Sequence, residues 1–338
     1  MATTITGTTI DVGPNKLVSD SSGNVTASGI LSDPSGNVRS GRKNLIINGG
    51  MQAWQRATSA SAIGYTSVDR WSYYAGSSLA ISRSTDVPTG FQYATSVGGG
   101  GSDSGLTQKI EASSCKQLVG ATITVSFYLK QTTGAGTDKI AVALARANSE
   151  DNFGGTTSIS TQTVSTTTSY ARYTCTFTSL PTEVSNGLQL SIKSNGAGSV
   201  VYLITGIQLE LGSTATDFEH RSYGEELALC QRYYETLITK ENQSLLANGF
   251  CYSNTQVQGV VRFSVDKRVT PTMGYEVGIA YQSSGEAART NITPLFYIPS
   301  TKTVMVYASS GVSVTAGQGL NLVNRDDGTG MIFADAEL

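Results

Sequence analysis

Charged side chains are scarce in this chain. Asp, Glu, Lys and Arg make up 14% of its 338 residues, 23 cations against 25 anions, for a net charge of −2. No Lys/Arg run occurs, so an electrostatic grip on a phosphate backbone is unsupported and no nucleic-acid partner is expected. Histidine occurs once, at His220, which removes His-rich metal sites and leaves a histidine-based triad a single candidate. Cys115, Cys175, Cys230 and Cys251 lack the close C-x-x-C spacing that zinc sites favour. Their even number permits two disulfides, but a long chain rich in apolar β sequence does not need them, and free, mostly buried thiols are expected. No segment approaches the roughly 20 apolar residues of a membrane span, so no membrane insertion is expected. The opening MATTITGTTI lacks the basic and apolar regions of a secretory signal, which implies synthesis in a cytoplasm.

Signatures of catalysis are missing too. There is no G-x-S-x-G, no H-E-x-x-H and no phosphate-cradling glycine loop. Glycan hydrolysis needs two carboxylates facing each other across a sugar-sized gap. The candidates Glu150 and Asp151, Glu225 and Glu226, and Asp326 and Asp327 are adjacent pairs, which point to opposite faces of a strand. No enzyme and no cofactor are expected.

What the chain does contain is Gly (37 residues), Tyr (16 residues) and abundant Ser and Thr, a mixture suited to pleated sheets and tight turns. From 44 to 222 the hydrophobic period is two. Over residues 122–130, Ile123, Val125, Phe127 and Leu129 point one way and their neighbours the other. Ile140, Val142 and Leu144 repeat the pattern, as do Tyr173, Cys175 and Phe177, and then Leu188, Leu190 and Ile192. Residues 199–211 are apolar on both faces, as a covered strand is. Gly/Ser/Thr runs at 98–104, 134–137, 154–160 and 194–199 read as the connections between strands. Short strands with turn signals between them predict an all-β protein built on a β-sandwich, most simply a jelly roll.

Three further segments flank it. Residues 1–43 carry few large apolar groups and repeat Ser-Gly-Asn-Val at 22–25 and 35–38, a turn signal each time. Their isolated Ile5, Ile10, Val12, Leu17, Ile30 and Leu31 are too sparse for a core in one chain, and three chains side by side could bury them. This segment reads as an oligomeric stem or attachment arm, with a linker as the alternative. Ser222 to Glu225 fits a capping box, and Leu227, Cys230, Tyr234 and Leu237 follow at helical spacing, predicting a linking helix over 223–239. Residues 240–338 return to period two, in Val261, Phe263 and Val265, in 293–298, 303–307 and 331–333, with Asp326-Asp327-Gly328 as a hairpin turn. They predict a smaller C-terminal β-sandwich.

Two blocks resemble the opening and closing of a jelly-roll domain found in bacteriophage tail-fibre and virion-fibre proteins: NLIINGGMQAWQR with VDRW (44–56 and 68–71), and QLELGSTATDFEHRSYGEELALCQRYYE (208–235). RVTPTM (268–273) resembles a turn in the C-terminal domain of the same proteins. The resemblance implies a trimeric virion component on the outside of the particle, joined to another virion protein through residues 1–43. It implies a carbohydrate-binding-module-like domain for a host surface polysaccharide or lipopolysaccharide. A tail fibre is the leading expectation. A capsid fibre or decoration protein keeps the same architecture, a polysaccharide depolymerase is a rival of another class, and a secreted bacterial carbohydrate-binding module is weakened by the missing signal. Tyr73, Tyr74, Tyr93 and Tyr252 are the candidate glycan contacts, because Tyr offers a flat apolar face and a hydrogen-bonding tip. Trp54 and Trp71 read as core rather than sugar platforms, Asp69 with Arg70 as an intradomain ion pair, and Phe218, His220 and Tyr223 as packing between the final strand and the helix.

Overall fold

Ile123, Val125, Phe127 and Leu129 are all fully buried, as period-two alternation requires where one sheet face meets a core. The computed structural model describes residues 9–11, 16–19, 25–28, 43–74, 77–100, 104–133, 136–195, 200–238, 244–276, 279–283, 289–297, 299–309, 312–324 and 330–338. Within residues 1–43, β1 (Thr9–Asp11), β2 (Lys16–Ser19) and β3 (Val25–Ser28) form an antiparallel meander. The Ser-Gly-Asn turns at 22–24 and 35–37 and the hairpin turn at 326–328 lie outside the described residues.

Two sheets then face each other. One is five-stranded, in the order β11 (Asn152–Thr166), β10 (Gly136–Ser149), β13 (Leu188–Ser194), β8 (Gly105–Ile110), β5 (Ser72–Tyr74). The other runs β12 (Ala171–Phe177), β9 (Ile123–Thr133), β14 (Val200–Leu211), β7 (Ala94–Gly100), β6 (Ser77–Ser84), β4 (Ser59–Ala60). β7 pairs with β14, β8 with β13, β9 with β12 and β10 with β11, all antiparallel. Eight successive strands thus form one long double ribbon, rolled so that alternate pairs lie in opposite sheets. That is the expected jelly roll. Its core joins Trp71 and Phe127 to Leu106, Leu144, Leu190 and Ile204. A one-turn helix, α1 (Ala112–Cys115), leads into the crossing from β8 to β9.

The two sequence blocks that bracket this domain touch each other in space. Arg221 is buried and donates to the carbonyls of Ile46 (3.0 Å) and Asn44 (2.5 Å), and it pairs with Glu226 at 3.1 Å. Asn48, with φ of 56°, turns the chain, accepts from the amides of Gln52 and Ala53, and donates its own amide to Glu226. Gly49 is required by close approach: a Cβ there would stand 2.0 Å from the Ile207 carbonyl oxygen.

The helix α2 (Tyr223–Gln231) starts as expected, with the Ser222 hydroxyl accepting from the Glu225 amide. It ends well before residue 239. Tyr234, Thr236 and Ile238 belong instead to β15 (Tyr234–Ile238), because aromatic and β-branched side chains suit a strand whose partner, β24 (Met331–Asp335), comes nearly a hundred residues later. β15, β24 and β18 (Thr272–Glu276) make a small sheet. A seven-stranded sheet runs β20 (Thr290–Ile292), β19 (Ile279–Ser283), β23 (Gly319–Val323), β16 (Leu245–Ser253), β17 (Gln256–Arg262), β22 (Thr303–Ala308), β21 (Leu295–Tyr297). The second core lies against it, with Cys251, Val257, Val306, Leu322 and Ile332. The strand expected over 293–298 is shorter, Leu295–Tyr297, because Pro294 precedes it and cannot donate to a ladder.

Three other expectations are corrected. Residues 98–100 and 154–160 are strand rather than connection: they end β7 and fill β11, an outer strand whose exposed faces need no large apolar groups. Asp69 and Arg70 do not pair with each other. Asp69 stands 3.7 Å from Arg56, whereas Arg70 pairs with Glu337 and lies 3.5 Å over the Tyr233 ring, so this cation ties the jelly roll to the C-terminal module. Phe218 and His220 pack with Phe91 on the six-stranded sheet, and Tyr223 is 56% exposed.

The two modules are further joined by Arg232 with Glu111 at 3.0 Å. Burial raises the Glu111 carboxyl, but hydrogen bonds from Arg232 and Tyr233 outweigh it and hold the group below its usual range. All four cysteines are free and buried.

Candidate functional site

The outer face of the five-stranded sheet is a trough. Side chains on this face follow the cross-strand register: Ser72 opposite Thr107, Thr107 opposite Ser191, and Ser191 opposite Ala143. A parallel row sets Lys109 opposite Gln189, Gln189 opposite Ala145, and Ala145 opposite Ser158. A third sets Tyr74 opposite Gly105, Gly105 opposite Lys193, and Lys193 opposite Ala141. The floor is therefore Ser, Thr, Gly and Ala, which stand low, while Lys109, Lys193 and Tyr74 stand higher at its margins. The hollow has a volume of about 380 Å³.

Its floor is ordered by its own polar groups. The Thr107 and Ser191 hydroxyls are 2.9 Å apart and buried, and Gln189 Nε2 reaches the Ser191 hydroxyl at 3.5 Å. Gly105 lets its strand sit close to β13, since a Cβ there would lie 2.5 Å from the Ile192 carbonyl oxygen. Lys109 Nζ donates to the Leu338 carbonyl at 2.5 Å and lies 5.4 Å from the Phe153 ring centroid. Burial lowers its ammonium below the usual lysine range, while Glu337 pulls the other way. Among the described residues, no Asp or Glu lines the trough. Such a surface offers hydroxyl, amide and ammonium donors to a polar ligand.

The sequence-selected tyrosines are not brought together. Tyr74 lies at the trough margin on β5. Tyr73, its neighbour, is 1% exposed with its hydroxyl bonded to the Gly98 carbonyl, so the glycan role expected for it is withdrawn: adjacent strand residues face opposite ways, and Tyr73 faces the core. Tyr93 is half-buried before β7, in the other sheet, with the Arg83 guanidinium 4.5 Å from its ring centroid. Tyr252 is 64% exposed, but on the C-terminal module. Trp71 is core, 1% exposed, and Trp54 packs partly buried against the same core with its Nε1 donating to the Met51 carbonyl at 2.7 Å.

Nothing in the sequence singles out Thr107, Lys109, Gln189, Ser191 or Lys193 one by one. One signal was available. Alternating with buried Ile140, Val142 and Leu144 are Ala141, Ala143 and Ala145, and small apolar residues on an outward face mark a surface kept low. Among the described residues no group of three or more His, Cys, Asp or Glu side chains could hold a metal ion.

No protein-family model matches the chain, and no curated protein matches it. Solved structures give weak likenesses. A candidate sugar-binding protein of Bacteroides thetaiotaomicron is 14% identical with a TM-score of 0.36, covering 50% of this chain and 100% of its own. The enzymatically active domain of bacteriophage CBA120 tailspike protein 4 is 15% identical with a TM-score of 0.35, over 50% of this chain and 21% of that one. The CBM22-1 xylan-binding domain of Paenibacillus barcinonensis Xyn10C is 15% identical with a TM-score of 0.31, over 52% of this chain and 100% of that one.

Proposed function

We propose that this protein is a non-catalytic, glycan-binding fibre of a phage particle, with the jelly-roll trough holding a polysaccharide of the host surface. The trough carries the reading: an open hollow on a sheet, floored by small and hydroxyl side chains, edged by one tyrosine and two lysines, and lined by no carboxylate among the described residues. A sugar chain presents hydroxyls to Ser72, Gln189 and Ser191 and a C–H face to Tyr74. The virion role is supported by the two sequence blocks, whose residues interlock through Arg221, Asn44 and Asn48. Assembly as a trimer, with residues 1–43 docked on another virion protein, lets weak single contacts add up by avidity.

The direct test is binding of host surface polysaccharide and lipopolysaccharide to the full chain, compared with Tyr74→Ala and Gln189→Ala. Loss of about tenfold or more in affinity in each variant, with unchanged melting, supports the trough. Binding that ignores both substitutions sinks it, and release of new reducing ends makes the protein a depolymerase. Images of labelled particles assign it to tail or head.

A further inference from the structure

We infer that the C-terminal module completes the trough: residues 335–338 position Lys109 there, so glycan affinity depends on how the two modules are docked. This deepens the trough reading and rests on it.

Lys109 belongs to β8 and lines the trough, two residues from Thr107 and opposite Gln189. A lysine on a sheet face ordinarily has a flexible four-carbon stem with many rotamers. This one is held at both ends through the same short segment. At its head, Nζ donates to the Leu338 carbonyl at 2.5 Å. At its backbone, the Lys109 carbonyl accepts from Arg70 Nη2 at 2.7 Å, while Arg70 Nη1 pairs with Glu337. Among the described residues, Leu338 supplies the only hydrogen-bond acceptor for this ammonium, which leaves two of its three N–H groups for a ligand.

Residues 335–338 are in turn fixed by the second module. Asp335 ends β24, whose partners are β15 and β18. The Ala336 amide donates to the Tyr233 carbonyl at 2.7 Å. Arg268 donates from Nε to the Ala336 carbonyl and from Nη2 to the Glu337 carbonyl, each at 3.1 Å. Arg268 is not among the residues that line the trough. A continuous run of bonds therefore leads from Arg268, outside the trough, through Glu337 and Leu338 to the Lys109 ammonium.

The direction of the effect follows from entropy. Ordering a lysine side chain opposes binding, and here the fold orders it before the ligand arrives. Undocking residues 335–338 frees the ammonium to swing into water and moves that ordering into the binding step. The coupling is reciprocal. A glycan held by Lys109 must tighten the seam between modules by the factor that the seam tightens the glycan.

The test is a double-mutant cycle in the full chain, read as affinity for purified host surface polysaccharide. Arg268→Ala should weaken binding about fivefold or more where Lys109 is present, and less than about twofold in Lys109→Met. If Arg268→Ala lowers the melting temperature, Arg268→Lys, which keeps a cation and a donor, takes its place in the same cycle. Equal losses in both backgrounds, or no loss in either, overturn the inference and leave the seam a structural joint. Tighter binding in Arg268→Ala also overturns it, since Leu338 would then be withholding the ammonium. Hydrogen exchange gives a second readout. Saturating polysaccharide should slow the Ala336 and Glu337 amides in wild type and not in Lys109→Met, and unchanged exchange in wild type overturns the coupling. Tyr74→Ala and Gln189→Ala without effect overturn the trough reading and this inference together. Their loss of affinity alongside an additive cycle overturns this inference alone.

Discussion

Glu337 offers the sharpest test of how the two modules are held together. Its carboxylate reaches Arg70, and its Oε1 lies 3.3 Å from Arg56 Nη2; the side chains of Arg70, Arg56 and Glu337 are 1%, 7% and 6% exposed. Removing the anion by Glu337→Ala leaves Arg70 fully buried over the Tyr233 ring with its charge uncompensated, and weakens the neutralisation of Arg56, which keeps Asp69 at 3.7 Å and Asp335 at 3.5 Å. Breaking a buried pair by deleting one partner costs about 3–5 kcal/mol, most of it the stranded charge. Replacing both partners with apolar groups, Arg70→Met with Glu337→Leu, is expected to fall within about 1 kcal/mol of wild type, because neither charge then needs solvating. The half-exposed Lys130–Asp86 pair is the control, worth at most about 1 kcal/mol. Urea unfolding followed by both far-ultraviolet ellipticity and tryptophan emission measures all three. Trp54 and Trp71 report the jelly roll, so a separate, earlier ellipticity transition in Glu337→Ala would show the modules uncoupling. A loss below about 1 kcal/mol for the single variant, or a double variant as unstable as the sum of its singles, refutes the reasoning.

Other expectations follow from single groups. Burial, against the pull of Arg56 and Gln55, pushes the Asp69 carboxyl up to about 6 from 3.8. The folded state therefore binds this proton more tightly than the unfolded one, and the group lowers stability as pH rises from about 4 to 6, by about 3 kcal/mol in all. Asp69→Asn should flatten that segment of the stability–pH curve in urea melts; an unchanged slope refutes it. Gly49→Ala should cost about 3 kcal/mol by forcing the 2.0 Å clash with the Ile207 carbonyl, whereas Gly319→Ala, with open space around it, should cost far less. The Cys115 thiol is pushed up to about 12 and Cys175 to about 11 by burial. A thiol reagent at neutral pH should therefore titrate all four cysteines only once urea unfolds the chain.

The sandwich could be read in advance because alternation is a local signal: Ile123 to Leu129 and Leu188 to Ile192 state their inward face residue by residue. Errors arose where a distant partner decides. Leu227, Cys230, Tyr234 and Leu237 keep helical spacing, yet Tyr234 stacks on Phe333, 5.5 Å away between ring centroids, so the second half of that run is strand. In the sequence the neighbour Asp69 is the natural partner for Arg70, but its anion stands 267 residues away. Residues 154–160 read as a connection in the sequence because an outer strand with exposed faces has no apolar stripe to show.

The trough fails to show for a related reason. Its residues come from β5, β8, β13, β10 and β11, and Thr107, Ser191 and Ala143 become neighbours only once the ribbon has rolled. Each is an ordinary sheet residue taken alone. The blocks at 44–56 and 208–226 are different, because there the chain leaves regular pairing and buried backbone groups must be satisfied by particular side chains. Asn44 accepts from the Ile46 and Leu209 amides, Arg221 donates to two carbonyls, and Glu226 accepts from Asn48. Asn44 also donates to the Ile207 carbonyl, so it must both give and accept, and few residue types meet such demands where the fold is sealed. The proposed ligand contacts, Ser72, Gln189 and Lys193, stand apart from these residues, so Asn44, Asn48 and Arg221 keep the roll closed whatever the trough carries.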